Sequence, residues 1–196
     1  IADFHFNSNP MNYLTYFETS QGYNRDAKIV PSQRREEPVY FDYTGNLSKV
    51  NAWMKAVIGG KPVANLALTG NAGTGKTVAL INAAKEHNIK IIDVDLGMVV
   101  SGYLPSIIRQ VRSMPQHSFV IYLDNVDVPD ENEARQESMY YFINNLERQV
   151  EGATALGAKV KFAMSTSTYD KLPFALKQRF GQRFAFPNPD MKTQRK

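Results

Sequence analysis

Residues Gly70-Asn71-Ala72-Gly73-Thr74-Gly75-Lys76-Thr77 constrain this chain more than any other stretch. They match G-x-x-x-x-G-K-[ST] in full, a pattern that works only between the end of a strand and the start of a helix. The flanks agree. Asn65 to Thr69 reads as a short strand running into Gly70, and Lys76 to His87 reads as a helix. Glycines at these places let the backbone turn tightly, so that successive N–H groups converge on one point without Cβ atoms in the way. The positive end of the helix dipole falls on the same point. Such a cradle suits a phosphate. The reading is that Gly70 to Thr77, with Val78, hold the phosphates of ATP, that Lys76 reaches the β- and γ-phosphates, and that the Thr77 hydroxyl ligates Mg²⁺.

The rest of the chain alternates in the way that such a loop requires. Leu47, Val50, Met54, Val57 and Ile58 share one helical face, ended by Gly59-Gly60. Ile89 to Val94 reads as a strand, and Leu104, Ile107, Ile108 and Val111 as the apolar face of a helix. Ser118 to Leu123 is a strand, Met139 to Val150 a helix and Val160 to Met164 a strand. Leu172 to Gln178 is a short helix and Arg183 to Phe186 a last strand. Strands alternating with helices predict a three-layer α/β domain over residues 39–190 with a five-stranded parallel sheet. Residues 1–38 show no sustained period and are expected to form an extended arm, partly disordered or partner-binding. Within it, Asn9-Pro10 predicts a turn or two of helix over Met11 to Glu18. Residues 191–196 form a basic tail.

Composition closes off several alternatives. The chain has no cysteine, which excludes disulfide scaffolds, zinc fingers and thiol catalysis. No apolar run approaches the ~20 residues needed to cross a bilayer, so the expectation is a cytoplasmic protein without a membrane partner. His5, His87 and His117 are scattered, without ligand spacing. The net charge of +4 is concentrated at the end, where seven basic residues from Lys171 to Lys196 face Asp190 alone. Because the chain begins at Ile1, it is expected to be a piece of something longer.

A second element follows the phosphate loop at the right lag. Phe119 to Leu123 is apolar and ends in Asp124, the pattern in which a carboxylate holds the water shell of Mg²⁺. With both elements in place, Val39 to Asp190 resembles the AAA+ ATPases. The resemblance implies a polar sensor near the γ-phosphate, and Ser165-Thr166-Ser167-Thr168 occupies that position, with Ser167 as the candidate. Ala175 to Gly181 resembles the arginine-finger segment, which makes Arg179 the residue supplied to a neighbour's γ-phosphate, with Arg183 as substitute. The Arg179-Phe180-Gly181 triplet is similar to that of Holliday-junction branch-migration motors. It is also similar to that of stand-alone bacterial AAA+ ATPases, which Ile91 to Asp127 resembles as well.

Two departures stand out. The family's water-positioning Glu is replaced by Asn125, which cannot act as a base, and Asp127 is expected to point elsewhere. Only Met191 to Lys196 follow the exit of the last strand, so this chain carries no helical lid. The loop Leu96 to Leu104 lies where translocases of the family place a pore loop, with Tyr103 or Met98 as its aromatic or apolar tip, although a Tyr packing the next helix serves equally. The resemblance implies a homo-oligomeric ring that binds ATP or ADP, hydrolyses ATP with water as acceptor and remodels a macromolecular partner, protein or DNA. The rival readings are a hydrolysis-poor, ATP-dependent assembly scaffold and a DNA-acting ATPase of the helicase-loader or transposition-regulator kind.

Overall fold

A computed structural model describes residues 45–94, 102–127 and 160–188 in full, together with the strands at 13–18 and 27–31. The elements are β1 (Tyr13–Glu18), β2 (Ala27–Pro31), α1 (Asn46–Ile58), β3 (Leu66–Thr69), α2 (Lys76–Glu86), β4 (Lys90–Val94) and α3 (Leu104–Arg112). They continue with β5 (Phe119–Leu123), β6 (Val160–Thr166), a 3₁₀ turn (Tyr169–Lys171), α4 (Phe174–Arg179) and β7 (Gln182–Ala185).

The strands form one sheet in the order β2-β1-β4-β5-β6-β3-β7. Its core is the expected set of five parallel strands, β4, β5, β6, β3 and β7. The sheet does not stop there. β1 joins β4 in parallel, and β2 closes back on β1 in antiparallel register. The turn of helix expected over Met11 to Glu18 is therefore replaced by a strand from Tyr13. Tyr13-Leu14-Thr15-Tyr16-Phe17 is rich in aromatic and β-branched side chains, whose preference for a pleated surface outweighs the helix-start signal of Asn9-Pro10. The helix expected over Met139 to Val150 lies outside the described residues, as does Met98.

Strand alternation sorts the core into two layers. On one face, Phe119, Ile121 and Leu123 of β5 pack with Phe162 and Met164 of β6 and with Ile107, Ile108 and Val111 of α3. On the other, Val120 and Tyr122 of β5 meet Leu66 and Leu68 of β3, Leu80 and Ala83 of α2, and Val50, Trp53 and Met54 of α1. Every residue of β3 and β5 is buried, as central strands covered on both faces must be. Tyr103, 4% exposed, belongs to the first layer, so it packs against α3. Trp53 Nε1 donates to the Ala64 carbonyl at 2.8 Å and ties α1 to the approach of β3.

β3 is the strand on which the topology turns. The chain leaves it, crosses over β6 and β5 to reach β4, and then returns until β6 lies against one side of β3 and β7 against the other. In open α/β sheets the crevice beyond the carboxyl end of such a strand is the usual ligand site. The parallel register sets strand ends side by side there: Thr69 pairs with Thr166 and Ala185, and Leu123 pairs with Met164.

Candidate functional site

The phosphate-type loop stands at that crevice. Gly70 donates its N–H to the Thr166 carbonyl at 3.1 Å, the last rung joining β3 to β6. Its φ is 140°, and a Cβ there would run into the Phe186 carbonyl oxygen, so only glycine fits. Gly73 and Gly75 take φ values of 76° and 87°, left-handed conformations that turn the chain back on itself. Thr74 Oγ1 donates to the Asn71 carbonyl at 2.8 Å, and Asn71 Nδ2 donates to Asn188 Oδ1 at 3.1 Å, which fastens the loop to the exit of β7.

Lys76 opens α2 and is 7% exposed. Its ammonium donates to the carbonyls of Gly70 and Asn71, each at 2.7 Å, so the charge lies folded over the mouth of the loop. Burial pushes the Lys76 pKa below the usual lysine value, opposed by the charges of Asp127 and then Asp124. An anion entering the loop would take the place of these two carbonyls as partner of the ammonium.

The metal-ligand candidates come together through side-chain parity. Residues two apart on a strand face the same way, so Asp124, just past β5, follows the face of Tyr122, toward α2. Thr77, in the first turn of α2, lies above them. Its Oγ1 is 3.4 Å from Asp124 Oδ1 and 2.8 Å from Tyr122 Oη. Ser165, one step beyond the Leu123–Met164 pair, donates its hydroxyl to Asp124 Oδ1 at 2.9 Å. The Asn125 N–H in turn donates to Ser165 Oγ at 2.9 Å. A hydroxyl and a carboxylate at this separation are hard oxygen donors of the kind Mg²⁺ prefers. The residues present fit that ion.

Other expected site residues are placed differently. Asn125 is exposed and has φ 61°, in the left-handed region where Asn is among the few side chains at ease. Asp127 is held on β6: it accepts from Ser167 N–H at 2.7 Å and from Thr166 Oγ1 at 3.2 Å. Ser167 is exposed and shares with Gly70, Tyr169 and Arg183 the lining of a cavity of about 250 Å³. Arg183 lies across the Tyr169 ring, 4.1 Å from its centroid, with Nε donating to Thr69 Oγ1 at 3.3 Å. The Arg179 backbone is anchored away from the loop. Its carbonyl accepts from Asn65 Nδ2 at 3.0 Å, and Asn65 Oδ1 accepts from the Phe162 N–H at 3.0 Å, which anchors the end of α4 at the amino end of β3. The length of β3, about 13 Å at the usual rise per residue, separates that anchor from Gly70.

Two contributors escape a linear reading. Tyr122 looks like one more core aromatic, and Ser165 is masked by the polar run that follows it. The signal for both was parity: each lies on the same sheet face as Asp124.

Fold and site together define a P-loop nucleoside triphosphatase. The family model for "ATPase family associated with various cellular activities (AAA)" matches residues 66–188, and the chain belongs to that family. The 26S proteasome regulatory subunit 4 homolog B of Arabidopsis thaliana is 26% identical over 151 residues, covering 71% of this chain and 34% of the relative. The chain thus spans about a third of that relative's length. Among solved structures, the FIGL-1 AAA domain in complex with ADP superposes with a TM-score of 0.60 at 18% identity, over 82% of this chain and 59% of the other. A structure bearing on katanin self-assembly gives 0.60 at 16%, over 79% and 54%. The E. coli MS115-1 HORMA:CdnC:Trip13 complex gives 0.55 at 12%, over 79% and 65%. At these identities the likeness is one of fold. No helix among the described residues is long and apolar enough to cross a membrane.

Proposed function

We propose that this domain binds ATP with Mg²⁺ and hydrolyses it within a homo-oligomeric ring, using the cycle to remodel a macromolecular partner. The convergence of Lys76, Thr77, Asp124 and Ser165 at the carboxyl ends of β3, β5 and β6 carries the reading. Gly70 to Val78 would wrap the phosphates, Lys76 would neutralise them, and Thr77 and Asp124 would hold the metal. Ser167, beside Gly70 at the cavity, is the candidate sensor of the γ-phosphate. Arg179 is the candidate finger, as its resemblance to the corresponding arginine of branch-migration motors and stand-alone bacterial AAA+ ATPases suggests. Its anchoring at the far end of β3 favours action on a neighbouring subunit over its own site. The structure described in terms of katanin self-assembly lends association between copies a precedent in fold.

Turnover measured against protein concentration tests the proposal. A rate per subunit that climbs with concentration and saturates supports a shared interface; a rate independent of concentration contradicts it. One observation favours a second reading, in which bound ATP cements subunits and hydrolysis is negligible. Asn125, in place of a base, projects from an exposed left-handed turn. ATP-driven assembly without phosphate release at saturating concentration would select that reading.

A further inference from the structure

Tyr122 has two roles to reconcile. Its ring is 0% exposed and fills the layer between the sheet and helices α1 and α2. Phe would fill that space equally well and would carry no hydroxyl to desolvate, and a buried hydroxyl is costly unless it is bonded. The phenol oxygen is bonded, and its partners include the two residues that would hold the metal: Thr77 Oγ1 at 2.8 Å and Asp124 Oδ1 at 3.4 Å. The same Asp124 oxygen accepts from Ser165 Oγ at 2.9 Å. Thr77, at the second position of α2, is thereby held facing the sheet. A Thr hydroxyl has two lone pairs, so one can accept from Tyr122 while the other remains for a cation.

We infer that Tyr122 is a positioning residue for the divalent cation: it presets the Thr77 hydroxyl and Asp124 carboxylate from beneath, without touching nucleotide or metal. This rests on the reading of the site as an Mg-nucleotide site. Groups that orient metal ligands from behind typically change metal affinity by about 10–100-fold when removed. Tyr122→Phe keeps the ring and deletes only the oxygen.

The experiment is a titration of a fluorescent ADP analogue into the full chain, first in EDTA and then over a series of Mg²⁺ concentrations. For Tyr122→Phe, affinity in EDTA should stay within about twofold of the parent, while half-saturating Mg²⁺ should rise about tenfold. Thr77→Ala should raise it too, and the double variant should lose less than the two single losses combined, because the phenol acts in part through that hydroxyl. An unchanged Mg²⁺ midpoint overturns the inference. So does an equal loss of affinity with and without Mg²⁺, which would mark a packing role, and so does simple additivity in the double variant. If Tyr122→Phe is too unstable to titrate, Tyr122→Met supplies a second residue of similar bulk lacking the hydroxyl, judged by the same outcomes. A parent whose nucleotide binding ignores Mg²⁺ altogether would instead remove the site reading itself.

Discussion

Replacing Asn125 should have two effects that can be measured apart. The residue sits at φ 61°, a conformation that costs an ordinary L side chain about 1–2 kcal/mol and costs Asn less. Asn125→Ala and Asn125→Glu should each lose about 1 kcal/mol for this reason alone. In a chain of 196 residues that corresponds to a Tm lower by about 2–4 °C. Asn125→Gly, free of the Cβ penalty, should melt within about a degree of the parent, because relief of the left-handed backbone is offset by the greater freedom glycine gives the unfolded chain. Catalysis should separate these variants differently. Asn125→Glu places a carboxylate where the family puts its water-orienting group, and positioned bases contribute about 10²–10⁴-fold. Turnover should therefore rise by about 100-fold for Asn125→Glu, with ATP affinity unchanged, and stay flat for Asn125→Ala and Asn125→Gly. Differential scanning calorimetry and phosphate release at ring-forming concentration measure the two quantities. If all three variants melt with the parent, the left-handed turn does not exist in solution. If Asn125→Glu leaves turnover unchanged in assembled protein, Asn125 is not what limits hydrolysis.

The other expectations follow from single contacts. Lys76→Ala should abolish the stabilisation by Mg-ATP, about 2.7 kcal/mol for the parent at a hundredfold excess over Kd; equal thermal shifts in mutant and parent would refute the assignment. Thr77→Ala should lose mainly the part of that stabilisation that EDTA removes from the parent, and a shift that EDTA leaves untouched in both would contradict it. Gly70→Ala should destabilise the nucleotide-free protein by more than 1 kcal/mol, because its Cβ meets the Phe186 carbonyl, and a normal urea midpoint would argue against that close approach. Arg179→Ala should bind ATP as tightly as the parent yet lose turnover, and mixing it with Lys76→Ala subunits should restore part of the rate. Failure of mixing, with both variants still associating, would leave Arg179 a structural residue.

Much of this was legible in the residues themselves. The glycine pattern, the apolar strand ending at Asp124 and the amphipathic helices led to the five parallel strands and to α1 through α4 within a few positions, because each carries its own local signal. The edge strands were not legible. Tyr13 to Glu18 has no apolar–polar alternation to declare a strand, and its place beside β4 depends on residues far away in sequence. The site was readable where chemistry and local backbone coincide, as at Lys76 and Thr77. It was opaque where a partner comes from another strand. Ser165 reaches Asp124 across 41 positions, and Tyr122 reaches Thr77 across 45; nothing in either neighbourhood announces the meeting. Asp127 is the converse case: expected to point away, it is fastened to Thr166 and Ser167, and its charge is felt by Lys76.

The two-residue stride of β5 makes the site sensitive to insertions in a way that substitutions do not reveal. Tyr122 faces α2, with Asp124 continuing that face, while Ile121 and Leu123 face the opposite layer. One residue added between Phe119 and Asp124 would exchange the faces, burying a carboxylate against α3 and turning a leucine toward Thr77. Two residues added would restore the faces but shift Asp124 along the strand by about 6.6 Å, beyond reach of Ser165 and Thr77. Length in this strand is therefore fixed by the chemistry at its end, and the loop that precedes it is where the chain is free to grow.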